Sequence, residues 1–378
     1  MVNNHGMCEK VTRGLTAAAY SLLQDVFAYP VINSSVFFLD DFPSPVPMGN
    51  GEYIRKYFGR DISSFYSNIW WPDMLKIAEK HGVRYTGVVI EDYSERTSGN
   101  FPRTTDTERF RYFGGLLLEK GGEIGIHGYN HMPLCPDGFD FLGKVDYETW
   151  PTANDMRSAI AELMDFTKTL FPKNTISTYV PPSNILSAEG RAMLAESFPE
   201  IRTLSGVFLK EDYEYEQEFC VSDDGIVELP RIISGAILDP YMRWAAFNEL
   251  NFQYVNSHFI HPDDVLDEDR GAALGWNTLR DNLDGYMDWL YGAAPGLRNQ
   301  TAAEASRAVQ RYDCLTVDRT LENGVYRLNL QGFADEAYLL LRLDGRCQKI
   351  TGGSLEQVNG SLYVLRATAP EVTVVLAS

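Results

Sequence analysis

The chain has 378 residues, 52 of them acidic against 33 basic, and a formal charge of −19 at neutral pH. That balance excludes nucleic acid as a partner, because a phosphate-binding face must be basic, and it disfavours an anionic membrane on the same ground. An apolar fraction of 44% with 22% charged residues predicts an ordinary globular core, and the length admits one large domain with a smaller one beside it.

No apolar run approaches the ~20 residues of a transmembrane helix. The opening Met1–Gly6 is not followed by the apolar stretch of a signal peptide. That leaves a cytoplasmic protein or a piece of a longer secreted one, and an extracytoplasmic or cell-envelope location is the expectation. The five cysteines, Cys8, Cys135, Cys220, Cys314 and Cys347, are odd in number and widely spaced without C-x-x-C. They predict neither a thiolate metal site nor a disulfide framework; Cys135 is read as a buried thiol. The many aromatic residues fill cores and also line sugar clefts, which favours a carbohydrate ligand mildly.

In chain order, a helix-like stretch Val11–Phe27 runs into a strand at 35–40 and a Pro/Gly loop. A helix follows at 71–81, with Pro72 in its first turn and Gly82 as its cap. Strand 84–92, helix 105–120 and strand 123–127 come next. Helix 154–171 carries Met156, Ile160, Leu163 and Leu170 on one stripe. Strand 176–180, helix 187–197 and strand 201–208 follow, then a hairpin within 211–235 turning at Asp223-Asp224-Gly225. Helix 243–253, strand 255–260 and helix 276–291 complete the alternation. Repeated βα units predict an α/β fold with a parallel sheet, open or closed into a barrel. Beyond helix 301–312 only strands remain, at 325–330, 337–343, 361–367 and 372–376. The expected division is a barrel domain over 1–313 and a small β-sandwich-like domain over 314–378.

Four strand ends carry chemistry. Asp40-Asp41 closes the first strand, and His127 and His131 stand four apart at the end of another. One carboxylate and two imidazoles form a metal site with room for water, and a second carboxylate beside that water takes its proton. In Val180-Pro181-Pro182-Ser183-Asn184 the prolines have no N–H, so Ser183 offers the first free one as an oxyanion donor. His258 and His261 face opposite sides of a strand; His261, at its end, is taken as functional and His258 as structural. Catalytic groups of parallel α/β folds collect at such ends.

The order Asp-Asp, H-x₃-H, Pro loop, His resembles the polysaccharide deacetylases of the NodB-homology group, carbohydrate esterases on an incomplete (β/α) barrel. The resemblance spans roughly residues 35–300. It implies Asp40 as base, Asp41, His127 and His131 as metal ligands, Ser183 as N–H donor and His261 as acid. It also implies Tyr129, Pro182 and Asn184 as substrate contacts and one divalent metal, Zn²⁺ first, with Co²⁺, Ni²⁺ or Mn²⁺ compatible. The implied reaction removes N-acetyl groups from an amino-sugar polysaccharide. Two motifs depart from the family: Gly128 replaces its Ser or Thr, and Val180 replaces the Arg that orients the base. Arg231 is one candidate to supply that Arg. The β-appendage makes the chain similar to the deacetylase modules of exopolysaccharide systems such as Pel. Two other readings stay open: a glycosidase pairing Asp40 with Asp263 or Asp264, and a non-catalytic sugar-binding protein.

Overall fold

The computed structural model describes residues 9–24, 26–43, 51–209, 214–343 and 345–377. Cys8, most of the loop after Pro43, and residues 211–213 of the expected hairpin lie outside them. The N-terminal part holds α1 (Arg13–Ser21), β1 (Val26–Val31), β2 (Ser34–Phe42), α2 (Glu52–Phe58), α3 (Ile62–Phe65), α4 (Trp71–His81), β3 (Tyr85–Val89), α5 (Glu108–Glu119) and β4 (Glu123–Ile126). Next come α6 (Ala153–Leu170), β5 (Thr178–Tyr179), α7 (Ala188–Ser197), β6 (Thr203–Leu204), β7 (Cys220–Val221), β8 (Val227–Glu228) and β9 (Ile233–Ser234). Helix α8 (Pro240–Phe252), β10 (Val255–Ile260), α9 (Trp276–Ala293) and α10 (Ala302–Asp313) lead to β11 (Thr316–Glu322), β12 (Val325–Gln331) and β13 (Ala337–Leu343). The last four strands are β14 (Cys347–Thr351), β15 (Gly353–Asn359), β16 (Leu362–Ala367) and β17 (Glu371–Leu376).

The fold is an incomplete (β/α) barrel with a small β domain. Its curled sheet runs β7-β8-β6-β5-β4-β3-β2-β10-β9, parallel throughout except for the β7–β8 pair. One extended segment spans the gap between the two sides. Its first half pairs with β6, through Leu229 N–H to Leu204 O and Arg231 N–H to Gly206 O, both 2.9 Å. Its second half pairs with β10, through Ile232 N–H to Ser257 O at 2.9 Å and Gly235 N–H to Phe259 O at 2.8 Å. Arg231 thereby stands at the seam. At the opposite mouth the first turn of α10 is caught from below, Ala302 N–H by Thr86 Oγ1 (2.9 Å) and Ala303 N–H by the Glu123 carboxylate (2.8 Å). An anion at a helix N-terminus satisfies donors the helix cannot.

The sandwich stacks a sheet β1-β13-β16-β15 on a sheet β11-β12-β17-β14. Leu339, Leu341, Leu343 and Leu365 meet Leu328, Leu330, Val372 and Val374 between them. The other face of β13–β16, with Tyr338, Leu340 and Val364, is buried in the barrel's own core. Burial on both faces is why β13 reads as a continuous apolar run.

Some elements differ from expectation. The helix expected over Val11–Phe27 ends at Ser21, and Val26–Val31 is a strand antiparallel to β13. Pairing with the sandwich decides that segment, and Pro30 is tolerated because β1 is an edge strand. The sandwich therefore draws on residues well before 314. The helix expected at 71–81 continues backwards through a wide π-type turn, Tyr66–Trp70, into α3. Such a turn accommodates Pro72, which has no N–H and crowds the preceding turn. Strands 176–180 and 201–208 shrink to β5 and β6; prolines 181 and 182 end the pairing of the first.

Candidate active site

Asp40 and Asp41 are adjacent on β2, and a regular strand would aim them at opposite faces. The β2–β3 register shifts between Leu39 and Phe42, and Asp41 is left-handed at φ 53°. A bulge of this kind re-aims a side chain, and both carboxylates line one cavity. His127, after β4, donates from Nδ1 to the Val180 carbonyl at 2.8 Å. That bond leaves Nε2 with its lone pair, 3.6 Å from Asp41 Oδ1. His131, itself at φ 60°, brings its Nε2 to 3.6 Å from the same oxygen. Its Nδ1 lies 3.3 Å from the Tyr147 hydroxyl, which is 2.6 Å from Ser183 Oγ.

Ser183 and Asn184 are both left-handed, at φ 48° and 59°. Asn184 and Ile185 spend their N–H groups inside the turn, on Pro181 O (3.0 Å) and Pro182 O (2.9 Å). Strained backbone over-determined by its surroundings is a mark of functional loops. Among the described residues, four of the eight non-glycine positions with positive φ, namely Asp41, His131, Ser183 and Asn184, meet here.

Arg231, fully buried, donates from Nη1 to Asp40 Oδ2 and from Nη2 to Asn184 Oδ1. Its guanidinium lies 4.1 Å from the Phe259 ring centroid. Arg231 thus reaches Asp40 from the barrel seam. His261 Nε2 stands 3.8 Å from Asp40 Oδ2, and its Nδ1 is 3.5 Å from Asp264 Oδ1. Arg270 in turn faces Asp263 (3.2 Å) and Asp264 (3.5 Å). Both carboxylates that a glycosidase reading pairs with Asp40 are therefore engaged by cations.

The electrostatics separate these groups. Burial would raise the Asp40 carboxyl, but Arg231, His127 and His261 together hold it below its ordinary value. Burial lowers His127 and His131 to about 4, so both imidazoles are neutral at pH 7. Burial also works against the charged form of His261, yet Asp264, Asp40 and Asp41 raise it to about 9. One cavity thus holds a carboxyl kept anionic and an imidazole kept protonated.

A divalent cation fits the donor set. Asp41 Oδ1 is buried and accepts no hydrogen bond among the described residues, an expensive state for a carboxylate oxygen. It lies with the two imidazole nitrogens in a cluster whose ligand atoms are all within 4.8 Å. Asp40 Oδ1 is likewise buried and without a donor.

Asp40, Asp41, His127, His131, Ser183, Asn184 and His261 line a single cavity of about 380 Å³, with Arg231, Phe259, Asp264 and Arg270. Tyr129 and Pro182, expected as substrate contacts, are not among its lining residues. Tyr129 is buried and donates its hydroxyl to Pro102 O at 2.6 Å, tying down the loop after β3. Pro182 is buried against Gly128. His258 faces the opposite side of β10, its Nε2 2.7 Å from Gly235 O. Tyr147 and Arg270 were not foreseen. Tyr147 comes from irregular chain between β4 and α6, where no periodicity marks a residue.

The second departure, Gly128, has a steric cause. A Cβ there would lie 2.8 Å from Pro182 Cγ, on a backbone at φ +82°. Gly128→Ser is expected to cost about 2 kcal/mol in a denaturant titration and to loosen the His131 turn. Unchanged stability would show that the Pro loop yields freely.

Among solved structures, Agd3, described as a novel carbohydrate deacetylase, shares 11% identity at a TM-score of 0.51, covering 98% of this chain and 69% of its own. The peptidoglycan deacetylase PdaC from Bacillus subtilis gives 11% and 0.36, covering 73% and 91%. A family 4 acetyl xylan esterase from Clostridium thermocellum, in complex with a cobalt ion, gives 12% and 0.33, covering 71% and 96%. At such identities the likeness to Agd3 is one of fold alone. By sequence the chain belongs to the family described as "Uncharacterised protein conserved in bacteria (DUF2194)", whose profile matches residues 1–364. No curated protein matches the chain.

Proposed function

We propose that the protein is a metal-dependent hydrolase that removes N-acetyl groups from an amino-sugar polysaccharide. The observation that carries this reading is the bare Asp41 Oδ1, 3.6 Å from two imidazole nitrogens, beside an Arg-held Asp40 and a charged His261. The deacetylases among the structures of like fold support the substrate class. The strong negative charge suits a neutral polymer better than an anionic one.

Asp41, His127 and His131 would hold the ion, and their N and O donors suit Zn²⁺ first, then Co²⁺, Ni²⁺ or Mn²⁺. When bound, such an ion polarises an amide carbonyl and lowers the pKa of water. Asp40 accepts the attacking water's proton on its free Oδ1, while Arg231 fixes the other oxygen. The Ser183 N–H faces the developing oxyanion. His261 gives its proton to the nitrogen as the C–N bond breaks, so the amine leaves neutral and acetate remains. Asp264 orients that imidazole through Nδ1.

The test is acetate release from N-acetylated polymers, run with elemental analysis of the purified protein. One equivalent of divalent metal and acetate production are expected, and His131→Ala should lose most of both while keeping the fold. Full metal occupancy in His131→Ala would falsify the ligand assignment. Release of reducing ends without acetate would replace the reaction by glycoside cleavage.

A further inference from the structure

A second hollow, of about 500 Å³, opens between α8 and α9. Trp289 on α9 is 41% exposed and Ile237 on the opposite wall equally so. The Trp289 ring stands 5.6 Å from that of Tyr286, tilted by 34°. Between them and Asp281 lies Gly285, where an added Cβ would meet nothing within 4 Å, so the helix leaves its face bare at that point. Positions 281, 282, 285, 286 and 289 share one side of α9. That side presents a carboxylate, an amide, a gap and an indole in succession.

The polar groups around the ring are largely unspent. Arg243 uses Nε on Leu238 O at 3.1 Å, and its two NH₂ groups have no protein acceptor among the described residues. The Asn282 amide and the Trp289 indole N–H likewise have no protein partner among the described residues. An exposed indole face flanked by planar donors and an acceptor matches a pyranose ring, which has an apolar face and a rim of hydroxyls. An apolar peptide would leave Arg243 unpaired, and a phosphate would meet Asp281, one oxygen of which already accepts from Arg280 at 2.7 Å.

The hollow also adjoins the catalytic cavity. Ser234 and Gly235 line the first, and Ala236, Ile237 and Leu238 line the second. Four residue steps, at most about 14 Å of extended chain, lead from Ser234 to Leu238. We propose that this hollow is a saccharide subsite for a further stretch of the polymer that enters the Asp41 cavity, with Trp289 as its stacking platform. The inference rests on the polysaccharide reading, though not on its chemistry.

The full chain would be titrated calorimetrically with dimers and pentamers of N-acetylglucosamine and of N-acetylgalactosamine. Trp289→Ala should weaken binding of one pentamer at least ~10-fold, the size of one aromatic contact, and raise its KM more than the dimer's. Trp289→Phe should restore most of the loss, and Asn282→Ala, at the rim, should give a smaller one. All three variants alter an exposed helix face, and circular dichroism would confirm the fold. Pentamer affinity unchanged in Trp289→Ala, or no pentamer binding by the wild type, overturns the subsite. Trp289-dependent binding without acetate release would keep the subsite and sink the deacetylase reading; acetate release with Trp289-independent binding would do the reverse.

Discussion

Replacing Asp40 by Asn is expected to lower acetate release ~10³-fold, the usual scale for losing a general base, while one divalent ion stays bound. Asn has Asp's shape and still offers an oxygen to Arg231, but no basic oxygen to the water. The substitution is not innocent, since Arg231 is buried and loses its counter-charge. Removing one partner of a buried pair outright costs roughly 3–5 kcal/mol. Asp40→Ala should therefore lose stability as well as activity, and Asp40→Asn much less stability for the same activity. A denaturant titration alongside the assay separates the two losses. Asp41→Asn is the control, because Asp41 holds the unpaired oxygen beside both imidazoles. If Asp40→Asn emptied the site of metal and Asp41→Asn did not, the two aspartates would exchange roles.

The parts of this site that were legible lie at the ends of strands. β2, β4 and β10 are apolar runs stopped by Asp, His or Pro, and each carries its candidate site residue at the stop. The seam between β6 and β10 was not legible. There one segment pairs with two neighbours in turn, for two residues at each, too few for a period to register. Arg231 could be named only as a candidate, because its partner Asp40 is 191 residues away. β1 was hidden for a related reason: Phe27-Ala28-Tyr29-Pro30 is apolar enough for a helix end, and its strand exists only because β13 accepts it. Tyr129 and Pro182 stood beside site residues in sequence and pointed elsewhere in space, since the left-handed turns at Gly128 and Ser183 break the alternation that adjacency assumes. Val180 breaks the family pattern yet keeps a role, because its carbonyl, which any residue supplies, fixes the His127 tautomer.

His261→Gln is expected to retain metal and polymer and to deacetylate at least ~100-fold more slowly, in line with losing a general acid. An amine leaves poorly as an anion, so cleavage waits for a proton. In the chain without metal, Asp264, Asp40 and Asp41 hold His261 at about 9, which makes it charged at neutrality. A cation on Asp41 offsets one of those carboxylates and moves the value down, toward the working pH. The wild type should therefore lose kcat/KM on an alkaline limb as His261 deprotonates, and His261→Gln should lack that limb. His258 is the contrast on the same strand. It is buried with Nε2 on Gly235 O, and His258→Ala strands that carbonyl at a cost of about 1–3 kcal/mol. Burial lowers His258 from 6.5 to about 4, so the unfolded chain binds its proton first. Wild-type stability should fall as pH drops from 6.5 toward 4, and His258→Ala should show less of that fall with its rate largely kept. An inert His261→Gln beside a folded but dead His258→Ala would move the acid to the other face of β10 and remove Asp40 from its neighbourhood.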